Sequence, residues 1–256
     1  MHAKLTKHLL QAAVVAALLL LWAIGDWAGV FNPEVLPPVT TVAASLVTVL
    51  YRPEFFPALM ATLVDCIKGV FTASVLAIPL GILIGMFPAV ERSTRTLLDF
   101  GRSFPVVALM PIFVLIIGAN SLMKTVTITI ACFFPILLQT IYGARRLEPT
   151  IVDTIRSYRI PFHLRFFKVL LPAAAPFIAT GVRLAISISI LVAVGTEVII
   201  QITGLGSQIN LSRTYNEVAI AFAYVVYAGL LGVVLTAIWD VFEARLLGWH
   251  RQAQSE

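Results

Sequence analysis

Apolar runs long enough to cross a lipid bilayer recur along this chain and dictate what it can fold into. They cover residues 9–24, 56–87, 104–118, 124–142, 171–202 and 217–247, against the roughly 20 residues a helix needs to cross hydrocarbon. Inside lipid every backbone N–H and C=O must find a partner within its own segment, so such runs fold as helices. An all-α, polytopic membrane protein with about six transmembrane helices is expected. Of the 256 residues, 59% are hydrophobic and 12% charged, far from the roughly 45–50% and 25% of soluble domains. The polar gaps are too short for a water-soluble domain of about 100 residues, so one transmembrane domain over 1–256 is expected.

The formal charge of +5 would suggest a nucleic-acid partner in a soluble protein. Here the basic residues lie in the short loops, where they set topology instead, and no nucleic acid is expected. With the amino terminus inside, the inner segments hold Lys4, Lys7, Arg92, Arg95, Arg102, Arg145, Arg146, Arg156, Arg159, Arg165, Lys168, Arg245 and Arg251, and the outer ones Arg52, Lys124 and Arg213. Thirteen against three fixes that orientation, and six crossings put both termini in the cytoplasm. No small-x-small cleavage site follows the first run, and Trp22 and Trp27 look like interfacial anchors, which predicts a retained helix. After the Pro-rich stretch 32–38, the spacing of Val42, Leu46, Val49 and Leu50 predicts a short helix on the outer surface. Gly81 and Gly85 form a small-x-x-x-small pair that lets helices approach closely, within the chain or at a dimer seam. Cys66 and Cys132 have no metal or disulfide spacing and read as packing residues.

The loop 143–171 is the longest inner connection and has an internal plan. Glu148-Pro149-Thr150 reads as a helix start, with Asp153 near the positive end of the dipole and Pro161 as the stop. Beyond it, Phe162, Phe166, Phe167 and Leu170 recur at helical spacing among His163, Arg165 and Lys168, which predicts an interfacial amphipathic segment before Pro172 opens the next span. A short charged helix held between two proline breaks can press on a partner and pass the movement into the membrane. A plain re-entry loop is the simpler alternative.

Ionisable groups inside the spans need a reason, since each costs roughly 2.5–3.5 kcal/mol at the bilayer centre unless paired or solvated. Asp65 and Lys68 stand at i, i+3 and can neutralise each other; a place along a solute pathway is the alternative. Glu197, beside Gly195, Thr196 and Gln201, either lines the pathway or an outer gate, or lies near enough to the interface to reach water. Pro105 and Pro111 remove backbone donors from the third run, which predicts a helix packed in protein or beside a water-filled route. Thr125, Thr127 and Thr129 cannot share one helical face, and two of them are expected to bond their i−4 carbonyls. Residues 118–125 approach the phosphate-binding pattern G-x-x-x-x-G-K-[ST]. However, Met123 replaces the second Gly and no strand precedes the segment, so no nucleotide, cofactor or metal site is expected on this chain.

Asp153-Thr154-Ile155-Arg156-Ser157-Tyr158-Arg159, followed by Val169-Leu170-Leu171-Pro172-Ala173-Ala174-Ala175-Pro176, resembles the EAA loop of binding-protein-dependent ABC importer permeases. The likeness runs over nearly the whole chain. Leu36-Pro37-Pro38, Ser103-Phe104-Pro105, Met110-Pro111-Ile112, Phe133-Phe134-Pro135-Ile136, Thr180-Gly181-Val182-Arg183, Glu197 and Gly204-Leu205-Gly206 are similar, in order, to the nitrate/sulfonate/taurine branch. The resemblance implies a type I ABC importer permease fold in a bacterial inner membrane and a small anionic solute. It implies as partners a second copy of the chain, two ATP-binding cassette subunits that hold ATP and Mg, an extracytoplasmic substrate-binding protein and membrane lipid. It makes Asp153, Thr154, Arg156, Ser157, Tyr158, Arg159 and Pro161 the ATPase-coupling residues, and it leaves this chain without catalytic residues. Arg159 stands where the pattern has Gly. Because Arg tolerates φ > 0 poorly, the helix is expected to continue to Ile160 and stop only at Pro161. The rival readings are a secondary transporter or channel, which would show inverted repeats and more membrane carboxylates, and a membrane enzyme, which would need a catalytic constellation inside the spans.

Overall fold

The computed structural model describes residues 2–146, 153, 155 and 157–247, and the regular structure among them is helical throughout. The helices are α1 (His2–Trp27), α2 (Val39–Leu50), α3 (Phe55–Met86), α4 (Pro88–Ser103), α5 (Met110–Ile117), α6 (Ser121–Arg145), α7 (Leu171–Ile200), α8 (Leu205–Thr214) and α9 (Val218–Leu246). Four helical stretches are long and apolar enough to cross a membrane: Phe55–Met86, Ser121–Arg145, His163–Ile200 and Val218–Leu246. Three of them match expected runs to within three residues at each end, and the fourth begins eight residues ahead of the run 171–202. The apolar part of α1, Ala13–Trp27, is shorter. The surface helix expected around 42–50 is α2, with Val42 and Val49 buried.

The third run is not a single crossing helix. A 3₁₀ turn at Val106–Leu109 leads into α5, and that unit bends by 80° from α4. Eight residues of α5 rise only about 12 Å. Pro105 precedes the 3₁₀ turn and Pro111 lies in the first turn of α5, where a missing N–H leaves no intrahelical carbonyl unpaired. In the single chain Ile112, Leu115 and Ile116 are exposed, and Met110 is the buried residue of α5.

Helix α6 is the centre of the bundle, packed along α3 on one side and α7 on the other. Gly81 and Gly85 explain how α3 comes so close. A Cβ at Gly81 would stand 2.6 Å from Thr140 Cβ, and one at Gly85 2.7 Å from Ala144 Cβ, so the small-residue pair packs within the chain. Ala73, Ala77, Ile128, Cys132, Ile136, Ala185 and Ala193 form the apolar centre, and both cysteines are buried and free. A second cluster, including Val49, Phe55, Leu205 and Tyr224, joins α2, α3, α8 and α9.

The lead-in to α7 also departs from expectation. Phe162–Arg165 is α-helical and Phe166–Leu170 π-helical, and the helix runs on through Pro172. In the π register the Leu171 N–H donates to the Phe166 carbonyl. The wider turn makes room for a proline ring that would clash in a regular helix, so Pro172 does not break the chain as expected.

Candidate functional site

Helix α6 begins at Asn120, whose side-chain oxygen accepts from the Met123 N–H at 3.0 Å. This cap starts the helix three residues earlier than the apolar run suggests and draws Lys124 into the bundle. The Lys124 side chain is fully buried. Its Nζ donates to Asp65 Oδ2 of α3 at 2.8 Å, to Glu197 Oε1 of α7 at 2.7 Å and to the Thr203 carbonyl at 3.0 Å. Ser121, one turn earlier on the same face, donates to Asp65 Oδ1 at 2.7 Å. Each of the three ammonium protons therefore has an acceptor.

Glu197, also fully buried, is held on every side. Thr62 Oγ1 of α3 donates to it at 2.8 Å, and the Gly206 N–H donates to Oε2 at 2.8 Å. The Leu205 N–H donates to Thr62 Oγ1 at 3.0 Å. The first amides of α8 thus point at the carboxylate and its partner, and the positive end of the helix dipole favours the anion there. A Cβ at Gly204 would run into the Glu197 carboxylate, and one at Gly206 into the Val194 carbonyl, which is why Gly-Leu-Gly stands at this corner. Ser207 Oγ donates to the Gly204 carbonyl at 2.8 Å and fixes the turn. Two carboxylates, one ammonium and a helix amino end lock α3, α6, α7 and α8 together near one end of the bundle.

The pairing expected between Asp65 and Lys68 is therefore corrected. Asp65 faces α6, where Lys124 and Ser121 hold its two oxygens, while Lys68 at i+3 is exposed. Lys124 is not an exposed outer cation, and Glu197 does not reach water. The signal for Lys124 was in the sequence, as an Asn cap four residues ahead of it and two buried acids in need of a cation. Gln201 ends α7 in a left-handed conformation, φ 57°, with its side chain exposed. Thr127 and Thr129 bond the carbonyls of Met123 and Thr125 at 2.9 and 2.8 Å, as their spacing predicts.

In the loop, Thr154 and Arg156 lie outside the described residues. Asp153 and Ser157 are helical and exposed, Tyr158 is 79% exposed, and Pro161 is exposed. The helix ends at Ser157 and does not continue to Ile160. Arg159 takes φ 49°, and the Ile160 N–H donates back to the Ile155 carbonyl at 3.1 Å. This is the hydrogen bond of a Schellman turn, which normally has Gly at the left-handed position. Ile155 is buried and Ile160 half-buried, and their withdrawal from water, with the hydrogen bond, offsets the strain at Arg159.

Residues 77–248 match the family model described as the binding-protein-dependent transport system inner membrane component. The putative aliphatic sulfonates transport permease protein SsuC of Bacillus subtilis is 28% identical over 244 residues, covering 95% of this chain and 87% of that one. The taurine transport system permease protein TauC of Escherichia coli is 24% identical, covering 96% and 91%, and the bicarbonate transport system permease protein CmpB of Synechococcus elongatus is 30% identical, covering 74% and 67%. In three dimensions the chain superposes on a chain of the MetNI methionine ABC transporter in an inward facing conformation, with a TM-score of 0.62 at 17% identity over 75% of this chain and 94% of that one. That match shows the type I permease fold. The chain belongs to the family of binding-protein-dependent transport system inner membrane components, the permease subunits of ABC importers.

Proposed function

We propose that this permease carries a small oxyanion, of the sulfonate or carboxylate class, into the cytoplasm as a homodimer driven by two ATP-binding cassette subunits. The names of the relatives carry the substrate reading: sulfonates, taurine and bicarbonate share a compact anionic group on an oxygen-rich centre. Selection among such solutes falls to the extracytoplasmic binding protein. ATP and Mg are held by the cassette subunits, this chain does no chemistry of its own, and residues 1–256 act as one transmembrane domain with both termini inside. Six crossings would count α1 and the bent α4–α5 unit with the four long spans.

Two ion pairs support that topology. Arg52 and Glu217, both expected outside, pair at 2.9 Å, and Arg145 and Glu91, both expected inside, also pair. Closure of the cassette pair on ATP would push the exposed turn around Asp153, Ser157, Tyr158 and Arg159. The push would then pass through the unbroken helix from His163 to Ile200. Tyr158→Asp or Arg159→Glu is expected to abolish copurification of the ATPase and ATP-dependent uptake while the chain still reaches the membrane. Unchanged complex and uptake would sink the coupling assignment. Uptake that persists without ATP would sink the importer reading itself.

A further inference from the structure

Helix α4 has three distinct faces. Leu98 and Gly101 are buried in a seam against α6, with Gly101 set against the Phe134 ring. On one flank Val90, Leu97 and Phe100 are exposed. On the other flank, Arg92, Arg95 and Arg102 join Arg145 of α6 around a cavity of about 570 Å³ with apolar walls at Leu138, Ile141 and Tyr142. An exposed apolar flank beside a basic one is the pattern of a helix lying in the membrane surface, with its apolar side among acyl chains and its cations at headgroup depth.

The charges in the cavity do not balance. Four arginines face two carboxylates, Glu91 and Asp99, which leaves 4 − 2 = 2 positive charges. Arg145 pairs with Glu91, and Arg102 with Asp99 at 3.0 Å. Arg92 donates only to the Pro88 carbonyl at 3.2 Å, and Arg95 has no carboxylate partner among the described residues. Guanidinium forks with free donors are suited to bidentate binding of a phosphate oxygen pair. A basic pocket between helices on the cytoplasmic side is where anionic lipid headgroups bind.

We infer that this cavity binds the phosphodiester of an anionic phospholipid of the inner leaflet, with Arg92 and Arg95 as its principal ligands. The inference rests on the cytoplasmic placement of α4 proposed above. The apolar walls favour a lipid over a free phosphate, because a soluble anion makes no use of Leu138, Ile141 and Tyr142. The exposed Val90, Leu97 and Phe100 favour it over the ATPase, because a soluble partner would leave that flank against water.

The test is native mass spectrometry of the detergent-purified full-length chain, offered phosphatidylglycerol or phosphatidylcholine. The expected result is retention of phosphatidylglycerol by the wild type, a fall of about tenfold in the Arg92→Gln/Arg95→Gln variant, and no fall in an Arg213→Gln control on the opposite surface. The Arg92→Lys/Arg95→Lys variant should fall between the wild type and the glutamine variant, since it keeps the charge but loses the bidentate fork. Both arginines are exposed, so the double variant is expected to fold, and its size-exclusion profile checks this. Equal retention of the two lipids, or wild-type retention by the glutamine variant, would overturn the site. Stripping of the lipid by millimolar inorganic phosphate would make it a soluble-anion site, and one-for-one displacement by the purified ATPase a protein-docking surface; either overturns the lipid assignment. Because the chain is measured alone, failure here is distinct from failure of the importer reading, which copurification of the ATPase decides.

Discussion

Lys124 has three N–H bonds and three acceptors on separate parts of the chain, so removing it strands two carboxylates in a dry interior. Breaking a buried pair by deleting one partner costs about 3–5 kcal/mol, whereas replacing all members with neutral groups of similar size is often close to neutral. Lys124→Met should therefore lower the unfolding free energy in detergent by about 3–5 kcal/mol, and Asp65→Asn/Lys124→Met/Glu197→Gln should recover most of the loss. A single variant that melts like the wild type would show that the network does not hold the helices. The Arg52–Glu217 pair contrasts with it. The Arg52 guanidinium donates to Glu217 and holds its carboxyl below the ordinary value of 4.5. Its contribution is thus present above that pH and lost as pH falls through the lower folded value. With 41% of the Glu217 side chain exposed, the pair is worth less than about 1 kcal/mol. Glu217→Gln should leave the neutral-pH melting point almost unchanged and flatten the acid limb of a melting curve taken against pH. The acids were visible in the sequence as groups in need of a partner, and the Asn120 cap was a signal that Lys124 lies inside α6, but nothing in the sequence paired the two. Spacing along one helix finds neighbours at i+3 and is blind to a lysine on the helix packed against it.

Among the elements, the turn at Tyr158–Arg159 shows where a local rule gives way. A non-glycine residue at φ 49° costs roughly 1–2 kcal/mol, which is why the sequence argues for a helix continuing to Ile160. The Schellman hydrogen bond and the withdrawal of Ile155 and Ile160 from water are tertiary gains that residue preference does not contain. Arg159→Gly is expected to keep the turn and copurification of the ATPase. Arg159→Val, β-branched at a left-handed position, should cost about 1–2 kcal/mol locally and weaken copurification, read by pull-down. If the valine variant matched the glycine one, the backbone conformation at this position would not matter to docking. Three of the long spans were legible to within three residues because apolar length is written directly in the chain. The α4–α5 unit was not, because an 80° change of direction leaves no mark on hydrophobicity.

For the molecule as a whole, the network makes α3, α6, α7 and α8 one body at the end where their charged side chains meet. Motion driven from the loop would then move this block as a unit. Spin labels at Met60 of α3 and Leu122 of α6, both exposed, should report one distance with and without ATP in the assembled transporter; a distance that shifts with nucleotide would show that the block opens. The same bonds bear on selectivity. Among the described residues Lys124 is the buried cation of a permease proposed to carry anions, yet its donors are all taken, so it offers nothing to a passing solute and serves as a fastening. The three charged positions also share one fate in inheritance. A lineage that lost the lysine would have to give up a carboxylate in the same step, so descent should treat these residues on three different helices as a single character, kept together or replaced together.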